Sequence, residues 1–97
     1  GQGCLAPGQA KVTFGTGAFL VANTGTKHPA SENRLLGTMG YALPGAAAMA
    51  LEGSIFNAGT VIKWLRDDLK LIQRADESAA AAAGLPDNGG VYMVAAF

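Results

Sequence analysis

An α/β layered domain with a mixed β-sheet is the fold class this sequence predicts, on three observations. Lys11-Val12-Thr13-Phe14 alternates polar and apolar residues, and a second strand-like run, Ala18–Ala22, follows after only Gly15-Thr16-Gly17. Two further strand-like stretches flank Pro44-Gly45. Beyond them the apolar period changes from 2 to 3.6 over a run from about Thr60 to Gln73. Strands followed by helices, with a closing strand, read as a sheet with packed helices and exclude a bundle or a sandwich. The 97 residues suffice for one domain and are too few for two.

Taken in order, Gly1–Gln9 is loop, broken by Gly1, Gly3, Pro7 and Gly8. A β-hairpin spans about residues 10–24, its Gly-Thr-Gly tip supplying the positive φ angles that tight turns use. Gly25–Asn33 is polar and turn-forming, and His28 within it, beside Pro29, is an exposed loop side chain. Arg34–Leu43 forms a third strand, weakened by Gly37 and Gly40, and Ala46–Glu52 returns as a fourth despite the low β propensity of its alanines. Residues 53–59 connect to the main helix. There Val61, Leu65, Leu69 and Ile72 recur at helical spacing, and Ile62 and Trp64 widen the stripe. Lys63, Arg66, Asp67, Lys70 and Gln73 take the solvated side, and Trp64 is a packing anchor. Asp76 or Ser78 caps a short helix through Ala79–Ala83, which Gly84 and Pro86 stop. Asp87-Asn88-Gly89-Gly90 then turns into a final strand, Val91–Phe97. No repeat of 20–50 residues is visible.

Composition narrows the partners. Seven basic and seven acidic residues cancel, so nothing points to nucleic acid or to an anionic membrane surface. Cys4 is the only cysteine, which excludes an internal disulfide and any zinc cluster of the usual spacing, and a reducing, cytoplasmic setting is the default. No apolar run approaches the ~20 residues of a membrane span. The chain lacks an initiating Met and stops on an apolar strand-like run, so an excised internal segment is expected, with self-association through uncovered edges.

The hairpin tip carries the chemistry. Backbone N–H groups beside Gly15 and Gly17, with one hydroxyl on Thr16, are parts that hold a phosphate. A plain chain reversal explains the same residues, and composition leaves both readings standing. Thr13-Phe14-Gly15-Thr16-Gly17-Ala18-Phe19 followed by Asn23-Thr24-Gly25 resembles the stretch written N-T-Y-G-T-G-C-F, then M-N-T-G, in glycerol kinases of the FGGY carbohydrate kinase family. Ser31-Glu32-Asn33, Tyr41-Ala42-Leu43, Ala50–Phe56, Trp64–Asp67, Asp87–Tyr92 and Ala95-Ala96-Phe97 resemble later landmarks of that family in the same order.

The resemblance implies a partial ribonuclease-H-like domain, the fold shared by sugar kinases, actin and Hsp70. Residues 1–97 would be the N-terminal part of the second, ATP-binding domain. It implies transfer of the ATP γ-phosphoryl group to glycerol, with Mg²⁺ whose ligands lie outside this segment, and ATP, ADP and glycerol as partners. By position, Gly15, Thr16 and Gly17 would meet the ATP phosphates, and Gly59 would line the nucleotide site through a helix N-terminus with free N–H groups. Lys63 stands where the family has a glutamine that reaches the nucleotide. Phe19 corresponds to an aromatic that packs on the glycerol carbons, and equally reads as a core residue of its strand. No catalytic residue and no metal ligand is implied within the segment, because the family's catalytic aspartate would precede Gly1. Two alternatives stay open: a related kinase of pentoses or other polyols, and a non-catalytic nucleotide- or protein-binding module.

Overall fold

The structure is a computed structural model and describes residues 2–97. Its elements are β1 (Ala10–Phe14), β2 (Ala18–Gly25), β3 (Leu36–Leu43), β4 (Ala46–Ile55), α1 (Gly59–Asp67) and α2 (Glu77–Ala83). The strands form a sheet in the order β1-β2-β4-β3. β1 and β2 make the expected hairpin, from Ala10 opposite Ala22 to Phe14 opposite Ala18. β3 and β4 make a second, closed by Pro44-Gly45 with Gly45 at φ +79°. The hairpins join through β2 and β4, from Ala18 opposite Ile55 to Gly25 opposite Met49. This pairing carries β4 three residues beyond the expected Glu52, because Gly53, Ser54 and Ile55 find partners on β2.

All three pairings are antiparallel, so the sheet here is not the mixed one expected. A parallel neighbour needs a crossover connection, and the segment placed after the helices to provide one, Val91–Phe97, forms no strand. It lies instead along the start of α1, where Asn57 Nδ2 donates to Ala95 O (3.1 Å) and the Phe97 ring meets Trp64 at 5.2 Å between centroids. Nor do the helices cover the sheet. The close packing is strand on strand, and the molecule is drawn out to 52 × 27 × 26 Å.

Beyond the longer β4, the start of β3 and the end of α1 differ from expectation, and the start of α2 differs in how it is capped, each for a local reason. β3 starts at Leu36, not Arg34, because Arg34 takes a left-handed φ of +59° and Ser31 Oγ accepts the N–H groups of Asn33 and Leu35. In α2, Asp76 occupies the N-cap position without capping through its side chain: its carboxylate goes to Arg74, and Ser78 Oγ donates back to Ala75 O. The helix α1 ends six residues before Gln73. Asp68 and Leu69 N–H both close on Trp64 O, Leu71 N–H reaches back to Leu65 O, and Lys70 adopts φ +56°. A β-carbon in this left-handed region is costly, and glycine relieves it. Lys70→Gly should therefore stabilise the fold by about 0.5–1 kcal/mol. A urea midpoint that stays put or falls would refute that.

The core is small. Ala18, Ala48, Ala50 and Asn23 are buried within the sheet and Gly17 at the hairpin tip, and among the described residues no large side chain is fully enclosed. The accessible surface is 7361 Å², against about 5,200 Å² for a compact chain of this mass. Val12, Leu20, Met39, Leu43 and Ile55 stay exposed on the strands, so the sheet offers apolar faces that these residues alone do not cover.

Asn23 holds the N-terminal segment against this sheet. Its Nδ2 donates to Cys4 O (3.1 Å) and its Oδ1 accepts Gly25 N–H (2.8 Å). Its backbone pairs with Gly8 and Gln9, and Tyr41 Oη donates to Leu5 O (3.3 Å). Gly25, at φ +76°, lies at the irregularity in the β2–β4 register, with the Pro7 ring 3.2 Å from where a β-carbon would be.

Candidate functional site

The hairpin tip does not project into solvent as a free turn. It is seated on the N-terminus of α1. Gly59 N–H donates to Gly15 O (2.9 Å), and Ala58 N–H and Thr60 N–H donate to Thr16 O (2.9 and 3.2 Å). The Thr60 hydroxyl donates to the same Thr16 oxygen (3.1 Å). A helix start leaves its first N–H groups without intrahelical partners. Here Ala58, at the N-cap, brings no side-chain acceptor, and the tip carbonyls serve instead.

This seat explains the glycines differently from the sequence reading. Neither Gly15 nor Gly17 uses a positive φ. Gly17 is buried, and a β-carbon there would lie 2.5 Å from Ile55 O. A β-carbon on Gly59 would lie 2.5 Å from Gly15 O. Close approach of backbone to backbone therefore demands both glycines. The Gly59 N–H, expected to be free, is engaged by Gly15, and the Gly15 N–H closes on Gly17 O (2.8 Å). That leaves the Thr16 N–H and hydroxyl, together with the Gly17 N–H, as the tip donors with no acceptor among the described residues.

Beside the tip lies an open groove of ≈ 490 Å³, lined by Thr16, Thr60, Lys63, Trp64, Asp67, Asp68 and Phe97. Two of the residues named from sequence, Thr16 and Lys63, thus meet at one site from positions 47 apart in the chain. Lys63 lies one turn into α1, and it belongs to neither ion pair found among the described residues, Arg66–Asp67 and Arg74–Asp76. Asp67 stands four residues from Lys63 but gives its carboxylate to Arg66 (2.6 and 2.8 Å). The hydrogen bond from Arg66 holds the Asp67 carboxyl below the usual carboxylate range, which suits a fixed anion and not a proton acceptor near neutrality.

Phe19 stands apart from the groove. It sits on β2 between Thr13 of β1 and Ser54 of β4 and is 39% exposed, so it is not sealed into a core. Sequence reasoning missed Thr60, Trp64, Asp67, Asp68 and Phe97 as groove residues, reading Trp64 as a packing anchor and Asp67 as part of the solvated face. Thr60 and Asp68 could have been read from helical spacing, since both lie one turn from residues already singled out. Phe97 could not, because its contact with Trp64 spans 33 residues. Among the described residues no three His, Cys, Asp or Glu side chains gather as a metal site.

Comparison with known proteins shows the family. Residues 10–97 match the model of the FGGY family of carbohydrate kinases, C-terminal domain. Over all 97 residues the chain is 56% identical to a glycerol kinase of Rhodospirillum centenum and 53% identical to one of Stenotrophomonas maltophilia. It is also 53% identical to glycerol kinase 1 of Pseudomonas aeruginosa. The whole chain is covered in each case, but it spans only about a fifth of the length of these relatives, 20%, 19% and 20% respectively.

Proposed function

This chain belongs to the FGGY family of carbohydrate kinases, within the ribonuclease-H-like C-terminal domain, and from that premise we propose that it forms the phosphate side of the ATP site of a glycerol kinase. The protein it belongs to would move the ATP γ-phosphoryl group to a glycerol hydroxyl, giving glycerol 3-phosphate, in the cytoplasm. The observation that carries this reading is the convergence of Thr16 and Lys63 on one groove at a tip held by backbone bonds.

Phosphoryl transfer asks a protein chiefly to position the phosphates and to meet their charge. The Thr16 N–H and Oγ1 are open donors at a fixed place, suited to phosphate oxygens. The Lys63 ammonium supplies positive charge across the groove, a stronger field than an amide in its place would give. Gly15, Gly17 and Gly59 serve by letting the tip, β4 and α1 approach closely enough to hold Thr16 there. Phe19, half exposed on the sheet, would pack against the carbon skeleton of glycerol.

The donor set does not suit a Mg²⁺ ion held by these residues alone. Asp67 is paired with Arg66, which leaves Asp68 as the one carboxylate lining the groove without such a pair among the described residues. By itself the 97-residue chain would bind ATP no tighter than millimolar and turn over no glycerol, since so few donors converge on so open a groove. It would also self-associate through the free edges of β1 and β3.

The reading is tested in the whole kinase by Thr16→Val, which keeps shape and loses the hydroxyl. A hydrogen bond to a charged phosphate is worth ~1.5–3 kcal/mol, so turnover should fall roughly 10- to 100-fold while glycerol binding changes little. Unchanged kinetics in a folded variant would dismiss Thr16 as a phosphate ligand.

A further inference from the structure

Thr16 O receives three donors: Ala58 N–H, Thr60 N–H and the Thr60 hydroxyl. The two backbone donors are what an uncapped helix start requires. The third is not. A hydroxyl in the first turn of a surface helix is free to face water, yet this one turns toward a carbonyl 44 residues away. Residues on both sides of Thr16 are also immobilised, Gly15 by the Gly59 N–H and Gly17 by its burial against β4. With the backbone held at three consecutive residues, the χ1 torsion of a β-branched side chain is the freedom left to Thr16, and it is narrow.

We infer that Thr60 is a positioning residue for Thr16. Its hydroxyl pins the tip carbonyl, so that the Thr16 hydroxyl is presented to the groove before any ligand arrives. Its effect on ATP rests on the proposed kinase reading; the clasp itself rests on the geometry alone. The benefit is preorganisation: a donor already in place need not be ordered when the phosphate binds.

The test uses the whole kinase with Thr60→Val and Thr60→Ser. Amide hydrogen exchange is followed at residues 15 and 58–60, alongside KM and kcat for ATP and for glycerol. Thr60→Val should accelerate exchange at these amides about three- to tenfold, the scale of one net hydrogen bond. It should raise the KM for ATP by a similar factor and leave that for glycerol unmoved, and Thr60→Ser should restore both. Unaltered exchange in a folded Thr60→Val protein overturns the inference, as does a Thr60→Ser protein as impaired as Thr60→Val. Faster exchange in Thr60→Val, rescued by serine, together with unchanged ATP kinetics in Thr16→Val, would uphold the clasp and remove the ATP reading instead.

Discussion

Replacing Gly59 with alanine should destabilise the protein by about 2–4 kcal/mol and unseat the hairpin tip. The new β-carbon would stand 2.5 Å from Gly15 O and 3.3 Å from Gly15 C. Both are backbone atoms held by hydrogen bonds, so no side chain can swing aside to make room. The collision is relieved only by parting α1 from the tip, which breaks the bonds from Ala58, Gly59 and Thr60 to Gly15 and Thr16. Gly15→Ala is the internal control, because a β-carbon there meets only Gly17 O, at an ordinary 3.8 Å. Urea unfolding of the two variants decides the matter. Equal losses for both would mean that the close approach at Gly59 is not what the glycine serves. In the whole kinase, Gly59→Ala should raise the KM for ATP together with the loss of stability, not instead of it.

Asn23→Ala should cost a comparable amount, about 2–4 kcal/mol. Asn23 is 7% exposed, and its side chain satisfies a donor in its own strand, Gly25 N–H, and an acceptor in the N-terminal segment, Cys4 O. Alanine removes both partners and opens a void beside Val21 and Ala50 on the same side of the sheet. The groups left behind stay within the protein, where an unmade hydrogen bond costs more than a made one contributes. The cost should appear locally first. Residues 2–9 are tied to the sheet largely through Asn23 and Tyr41, so limited proteolysis should cut that segment in the variant while the β2–β4 pairing persists. A variant whose N-terminal segment resists protease as well as the parent's does would show that the anchor lies elsewhere.

Much of the fold was legible because its causes are local. The hairpin from Ala10 to Thr24 was visible in alternation around Gly15-Thr16-Gly17, and the turn at Pro44-Gly45 in two residues whose backbone preferences make a reversal. The start of α1 followed from the change of period near Thr60. Family membership was legible too, because ordered landmarks along the chain carry it without any coordinates. Of the candidate site, Thr16 and Lys63 were named from sequence, and they do line one groove.

What the sequence by itself determined was therefore where β1, β2, β4 and α1 begin, how the two hairpins turn, and which family's pattern the residues follow. Only the tertiary structure decided that β2 pairs with β4, placing β3 at the edge, and that Val91–Phe97 lies on α1 and not in the sheet. It alone showed that Lys70 ends the helix early in a left-handed turn, although the apolar period continues to Ile72. It also changed the reason for Gly59, from an opening for a ligand to a place where Gly15 O comes too near for any side chain. The physical cause is common to these cases. Periodicity and turn chemistry are imprinted within a few neighbouring residues, whereas an orphan N–H at a helix start donates to any carbonyl the fold brings to it. Which carbonyl arrives is set by contacts made 44 residues away, and those leave no periodic trace in the chain.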